Sequence, residues 1–94
     1  IRYKRNIQPL ALSTAQRIVT KLRPVTFNYK HGGRAGIGII AEQADSVDTR
    51  LTVRDGQKRI NAVNYEQVTV ALLAVVQQQQ RQIDSLRAAI ARRP

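Results

Sequence analysis

The chain has 94 residues, 43% hydrophobic and 23% charged, with one Phe, three Tyr and neither Trp nor Cys. That length fits one domain with a thin, aliphatic core, and the lack of Cys excludes disulfides and thiolate metal sites. The net charge of +10, from 16 Lys and Arg against 6 acids, raises nucleic acid or an acidic surface as a partner, but the basic residues are scattered from Arg2 to Arg93 without the interleaved aromatics of a single-strand stacking platform.

The N-terminal residues 1–10 are polar and basic, with no apolar stretch of leader length behind them, and Pro9 interrupts regular structure. Ser13 and Gln16 stand at capping-box spacing, so a short helix is predicted from Ser13, with Ile18, Val19 and Leu22 on its apolar face and Pro24 ending it. Val25, Phe27 and Tyr29 alternate with polar residues at strand spacing, and His31-Gly32-Gly33 reads as a turn. The apolar run 36–41 reads as a short buried strand, and 42–47 as one or two helical turns. Two more strands are predicted at 50–53 and 59–63, joined by Asp55-Gly56, a hairpin pair that tolerates positive φ. Asn64 offers an N-cap with Gln67 at the capping-box position, and Glu66 suits the positive end of the helix dipole. From Tyr65 to Arg93 nothing breaks a helix, which gives a rod of roughly 40 Å. The organisation is therefore one α+β domain over 1–94: a globular part, 1–64, with a short N-terminal helix and small antiparallel strands or hairpins, and a long C-terminal helix, 65–94.

On that helix Thr69, Val76, Ile83 and Ile90 repeat at one heptad position, and Leu72, Gln79 and Leu86 at the other. Leu73 and Val75 widen the apolar face at the start, where the helix is expected to pack on its own globular part. Beyond Gln77 the stripe is narrow and flanked by polar residues, so a helix of this kind needs sister chains to cover it. The expected interface is Leu72, Val76, Gln79, Ile83, Leu86 and Ile90. Periodicity leaves dimer and trimer open, and Gln79 in the seam sets register at a cost in stability. The longest apolar run, 68–76, is interrupted only by Thr69 and is too short for a bilayer span of roughly 20 residues, so no membrane partner is expected.

Chemistry is sparse. His31, the single histidine, lies in a glycine turn with no second ligand nearby in sequence, which reads as a surface position rather than a metal or catalytic one; no metal or cofactor is expected. Gly33, Gly36 and Gly38 lack the Lys-Ser/Thr ending of a phosphate-binding loop and read as a turn followed by close backbone packing. Lys4 is the one candidate base. A lysine acts as one when burial or neighbouring cations disfavour its charged form, and Arg2 and Arg5 flank it.

The order Ile1-Arg2-Tyr3-Lys4-Arg5-Asn6-Ile7, a short helix, Leu22-Arg23-Pro24-Val25-Thr26-Phe27, Ile37-Gly38-Ile39-Ile40-Ala41-Glu42-Gln43, Asp55-Gly56, Val63-Asn64-Tyr65 and a Gln-rich heptad helix resembles the C-terminal intramolecular chaperone domain of endosialidases and related phage tail-fibre and tail-spike proteins. The resemblance spans nearly the whole chain. It implies a homotrimeric coiled coil that directs folding of the preceding fibre or β-helix stalk and is then released by cutting itself at its own N-terminal boundary. It implies a tail-fibre precursor of a virion, assembled in the bacterial host cytoplasm. The family start motif is Ser-Asp, any residue, Arg, an apolar or aromatic residue, then Lys, and Arg2, Tyr3 and Lys4 match its last three positions. The resemblance therefore gives Lys4 the role of base in a Ser-Lys peptidase and places the nucleophilic Ser ahead of Ile1, while the charge of Arg2 beside Lys4 is expected to tune it. Ala41-Glu42-Gln43 departs from the Ala-Gln-Glu order frequent in the family. Two alternatives stand beside this reading: a plain oligomerisation domain without cleavage, and a basic module that binds nucleic acid.

Overall fold

A computed structural model describes residues 3–94. The order is α1 (Leu12–Lys21), β1 (Pro24–Asn28), β2 (Ala35–Ile39), α2 (Ala41–Val47), a 3-10 turn (Thr49–Leu51), β3 (Thr52–Arg54), β4 (Ile60–Val63) and α3 (Tyr65–Ala91). This is the predicted α+β arrangement. The strands form two separate antiparallel pairs, β1 with β2 and β3 with β4.

α1 starts earlier than the capping box predicts. Its N-cap is Ala11 and no side chain caps it, so Ser13 lies inside the first turn. Packing sets this start: Leu12 joins the inward spacing of Ala15 and Ile18, both buried, and those apolar positions outweigh a solvated hydroxyl cap. The helix ends as predicted ahead of Pro24, which begins β1.

β1 pairs with β2 in a register that sets Val25 opposite Gly38 and Phe27 opposite Gly36. The glycines are space-making. A Cβ on Gly36 would lie 2.8 Å from the Phe27 ring, and one on Gly38 would lie 2.9 Å from the Tyr65 hydroxyl. The expectation of a buried strand at 36–41 is corrected here. A two-stranded sheet covers one face only, and Ile37, on the other, is 84% exposed.

The segment 50–53 is likewise not all strand. The Asp48 carboxylate accepts from the Arg50 amide at 3.0 Å, which winds Thr49–Leu51 into the 3-10 turn and delays β3 to Thr52. The hairpin at Asp55-Gly56 forms, but the left-handed residue is Lys58 (φ 64). Lys58 N–H donates to the Asp55 carbonyl, Asp55 N–H to the Arg59 carbonyl, and the Asp55 carboxylate accepts from the Gln57 and Arg59 amides. The turn is held by the Asp side chain, a three-residue loop with a left-handed closing residue.

The core lies where α1, α2, the 3-10 turn and the first turns of α3 meet. Ile18, Ala44, Leu51, Val68 and Ala71 are buried there, with Val19, Leu22, Ile39, Val47 and Val63 packed around them. Leu51 is the largest fully buried side chain. Beyond this small core α3 runs on alone. The Cα radius of gyration is 18.0 Å, against about 12 Å for a compact domain of this length, and the long dimension is 62 Å.

Candidate assembly face and N-terminal segment

Two features of the molecule face outward. The first is α3. Its inner face is carried by Val68 and Ala71, with Val75 and Gln78 half-buried. The heptad residues occupy a different face. Leu72 is 45% exposed, Val76 55%, Ile83 43%, Leu86 63% and Ile90 64%, and Gln79 is exposed between them. Every residue in 79–94 is exposed, so the second half of the helix has no cover from the described residues. The first half of the helix packs on the globular part as expected, through Val68 and Ala71, and Val75 is half-buried. Leu73 is exposed, as is Val70, so the apolar face at the base of the rod is wider than the globular part can cover.

Helix geometry explains this division. Residues at i, i+3 and i+7 share one side, which puts Val68, Ala71 and Val75 together toward α1. The 3-4 spacing from Leu72 through Ile90 lies on an adjacent side. A soluble chain rarely exposes a contiguous apolar strip of this kind unless the strip is an interaction surface.

The second feature is the N-terminal segment. Tyr3 is 84% exposed and Ile7 61%, and Lys4 is exposed, with its Nζ 5.6 Å from the centre of the Tyr3 ring. Arg2, assigned a tuning role from sequence, lies outside the described residues. Between Lys4 and Ile7 the backbone takes a left-handed turn at Asn6, with φ 57. That turn was not foreseen. The signal for it is the residue type, since Asn is the commonest non-glycine residue in the left-handed region.

Several side chains unforeseen from sequence tie these features to the body. The Tyr65 hydroxyl, at the first residue of α3, accepts from the Ile39 amide at 3.1 Å, fastening the β1–β2 hairpin to the root of the rod. Gln43 of α2 clamps the segment after α1: its Oε1 accepts from the Arg23 amide at 3.2 Å and its Nε2 donates to the Lys21 carbonyl at 2.8 Å. Asp48 accepts from Arg50 Nη2 at 2.8 Å and Arg17 Nη2 at 3.2 Å, while a second Arg17 nitrogen donates to the Val47 carbonyl. These bonds brace α1 against the end of α2. The side-chain hydrogen bond from Arg50, ahead of its backbone amide and the Arg17 bond, holds the Asp48 carboxyl well below the usual carboxylate range against the opposing effect of burial. Asp48 in turn raises the Arg50 guanidinium. Asp45 accepts from Thr52 at 2.7 Å and pairs with Arg54 at 2.9 Å, joining α2 to β3.

His31 is exposed in the hairpin turn. Among the described residues no group of His, Cys, Asp and Glu could hold a metal ion, and no helix is long and apolar enough to cross a membrane. The glycines of β2 seat Phe27 and Tyr65, which accounts for Gly36 and Gly38 as packing positions.

A family model described as chaperone of endosialidase matches residues 1–52. The match takes in Lys4, α1, the β1–β2 hairpin, α2 and the 3-10 turn, and ends as β3 begins. No curated relative matches the chain.

Proposed function

The chain belongs to the chaperone of endosialidase family, and on that premise we propose that it is a homotrimerising intramolecular chaperone for a preceding tail-fibre or tail-spike stalk, released by self-cutting at its N-terminal boundary. The observation that carries the proposal is the uncovered apolar strip on α3, from Leu72 to Ile90. Three copies wound about a common axis bury that strip, with Gln79 forming a polar layer that selects register. Burial of apolar area at about 25 cal/mol per Å² drives the association. The thin core of each protomer explains why the assembled form is the working one.

For cutting, the family motif places a Ser-Asp pair ahead of Ile1 in the precursor. The Ser hydroxyl attacks the carbonyl carbon of the peptide bond just before it, and Lys4, as neutral amine, takes the hydroxyl proton. The proton passes to the departing amide nitrogen, leaving an ester between stalk and Ser. Water then hydrolyses the ester, giving a stalk carboxylate and restoring the hydroxyl. Lys4 is solvent-exposed in the single chain. Assembly that strips water from Lys4 disfavours its charged form, so cutting waits for three correctly folded chains. Such a domain belongs to a virion tail-fibre precursor in the host cytoplasm.

Sedimentation and cutting test the proposal together. The chain is expected to sediment as a trimer, and a precursor carrying the upstream stalk to split ahead of Ile1. Lys4→Ala in that precursor is expected to trimerise and remain uncut. A folded protomer that stays single at high concentration would sink the assembly reading; normal cutting by Lys4→Ala would remove the base.

A further inference from the structure

Two apolar side chains at the base of α3 belong to neither the core nor the heptad strip. Val70 is 53% exposed and Leu73 55%, and a hollow of about 100 Å³ opens beside Val70, over Leu10, Ile18, Leu51 and Ala71. Three residues apart, Val70 and Leu73 share one side of the helix. With Thr69 and Val76 at heptad position a and Leu72 at d, Leu73 falls at e and Val70 at b, while Val68 and Val75 fall at g, across the strip. This second face ends abruptly. The next two b and e positions up the rod are Gln77, Gln80, Asp84 and Arg87, all exposed. The chain's own body ends at the same height, since Gln78 is the last residue of α3 that is not exposed. A sister rod lying alongside is met at every level, and a face made for it would not stop at Gln77. A sister body, held at the same height by a parallel rod in register, is met only here.

We infer that Val70 and Leu73 seat α1 of the neighbouring copy, so that each body is held between two rods. The inference rests on the proposed parallel trimer. In a parallel coiled coil the e flank of one helix faces the g flank of the next. Here the g flank, Val68 and Val75, turns toward its own α1. Leu73 of one copy is thereby brought against α1 of the next. The signs of charge also match: Glu66 lies on the same side of α3 as Val70 and Leu73, and the charged residues of α1, Arg17 and Lys21, are both basic. The contact joins two different surfaces, and a three-fold axis repeats it until it closes on itself. The three bodies form a collar around the base of the bundle, and the upper rod stands free of it.

Crosslinking between copies tests the seat, and because the chain has no Cys the introduced thiols are the only ones. Chains carrying Leu73→Cys are mixed with chains carrying Gln16→Cys or Thr20→Cys, both on the exposed side of α1. They are dissociated, reassembled and treated with a bismaleimide spanning about 10 Å, a helix-to-helix distance. Mass spectrometry of the joined peptides is expected to find the Leu73→Cys thiol coupled to an α1 thiol. Asp84→Cys, roughly 16 Å further up the rod, is expected to give no such pair. Leu73→Gln and Val70→Gln are each expected to raise the concentration needed for assembly about tenfold, from the apolar area that no longer gains by burial. Their far-ultraviolet spectra are expected to stay natural, because both side chains lie outside the core. Normal assembly by both variants, or a Leu73→Cys thiol that couples only to other rods, overturns the inference and leaves the proposed trimer standing. Coupling of that thiol to the upstream stalk of the precursor in place of α1 gives the face to the stalk and overturns it too. A chain that stays single at high concentration overturns both.

Discussion

Leu51 and Leu86 are the same side chain under opposite conditions: Leu51 is 1% exposed in the middle of the body, and Leu86 is 63% exposed on the rod. Around Leu51, α1, α2 and the base of α3 close over one another, and polar residues such as Asp48, Gln43 and Tyr65 lock the closure at its rim. Around Leu86 the heptad spacing continues with nothing among the described residues to meet it. The body completes itself; the rod has the pattern of a packed helix with none of the described residues packed on it. One chain thus carries a surface that folding within the chain satisfies and a surface that folding leaves open.

The widest break in that contrast comes from placing a charge on the open surface. Ile83→Asp is expected to abolish association at micromolar concentration, because an unpaired carboxylate in an apolar interface is heavily penalised. The body is expected to remain folded, which sedimentation and the far-ultraviolet spectrum read together. If Ile83→Asp associates like the natural chain, the strip is not the interface. Leu51→Ala strikes the closed surface instead. It is expected to cost about 2–5 kcal/mol, the range for truncating a buried Leu, seen as a lower urea midpoint. The exposed positions Leu86 and Ile90, truncated one at a time, are expected to leave the protomer's own stability unchanged.

The rim gives a sharper and smaller test. Gly38→Ala drives a Cβ against the Tyr65 hydroxyl and is expected to cost about 1–3 kcal/mol by overpacking. Tyr65→Phe removes the hydroxyl together with its bond to Ile39, and the double variant is expected to be less destabilised than the sum of the two single ones. Strict additivity would show that the hairpin is not seated on that ring. The smallest effect belongs to Asp48. Its carboxyl titrates lower in the fold than in the open chain. Its pairing with Arg50 and Arg17 therefore stabilises the fold fully above about pH 4 and is lost as pH falls toward the folded value. Asp48→Asn is expected to cost roughly 1 kcal/mol at neutral pH, since both arginines face solvent, and the difference from the natural chain is expected to narrow at pH 3. A gap that widens on acidification would reverse the assignment.

What the sequence made legible follows the same division. The rod is written in long-range periodicity, so its extent and its outward strip are readable from Leu72, Val76, Ile83, Leu86 and Ile90. The body is written in local exchanges that periodicity does not carry. Arg50 and Leu51 look like strand residues, yet the Asp48 side chain captures the Arg50 amide and turns them. Ser13 looks like a cap, yet Leu12 is drawn into the helix ahead of it. Asp55-Gly56 marks the hairpin, while Lys58 supplies the left-handed residue. Lys4 is a candidate through family resemblance and local charge alone, and its surroundings in the fold, the Tyr3 ring and the turn at Asn6, had no periodic signature. Gly36 and Gly38 were readable as close-packing positions, but which rings they seat depends on a register and on Tyr65, 27 residues further along.

The bond from the Ile39 amide to the Tyr65 hydroxyl has a mechanical meaning. Tyr65 is the first residue of α3, so the β1–β2 arm is hinged to the rod at its root. When helices supercoil, each rotates a little about its own axis, and that rotation acts at the root as torque. An arm gripped there swings with the rod, its tip sweeping through a wider arc than the helix surface does. Under the proposed assembly, spectroscopic labels on the tip at His31 would act as pointers on a dial, reporting the winding of the helices as a movement of the arm.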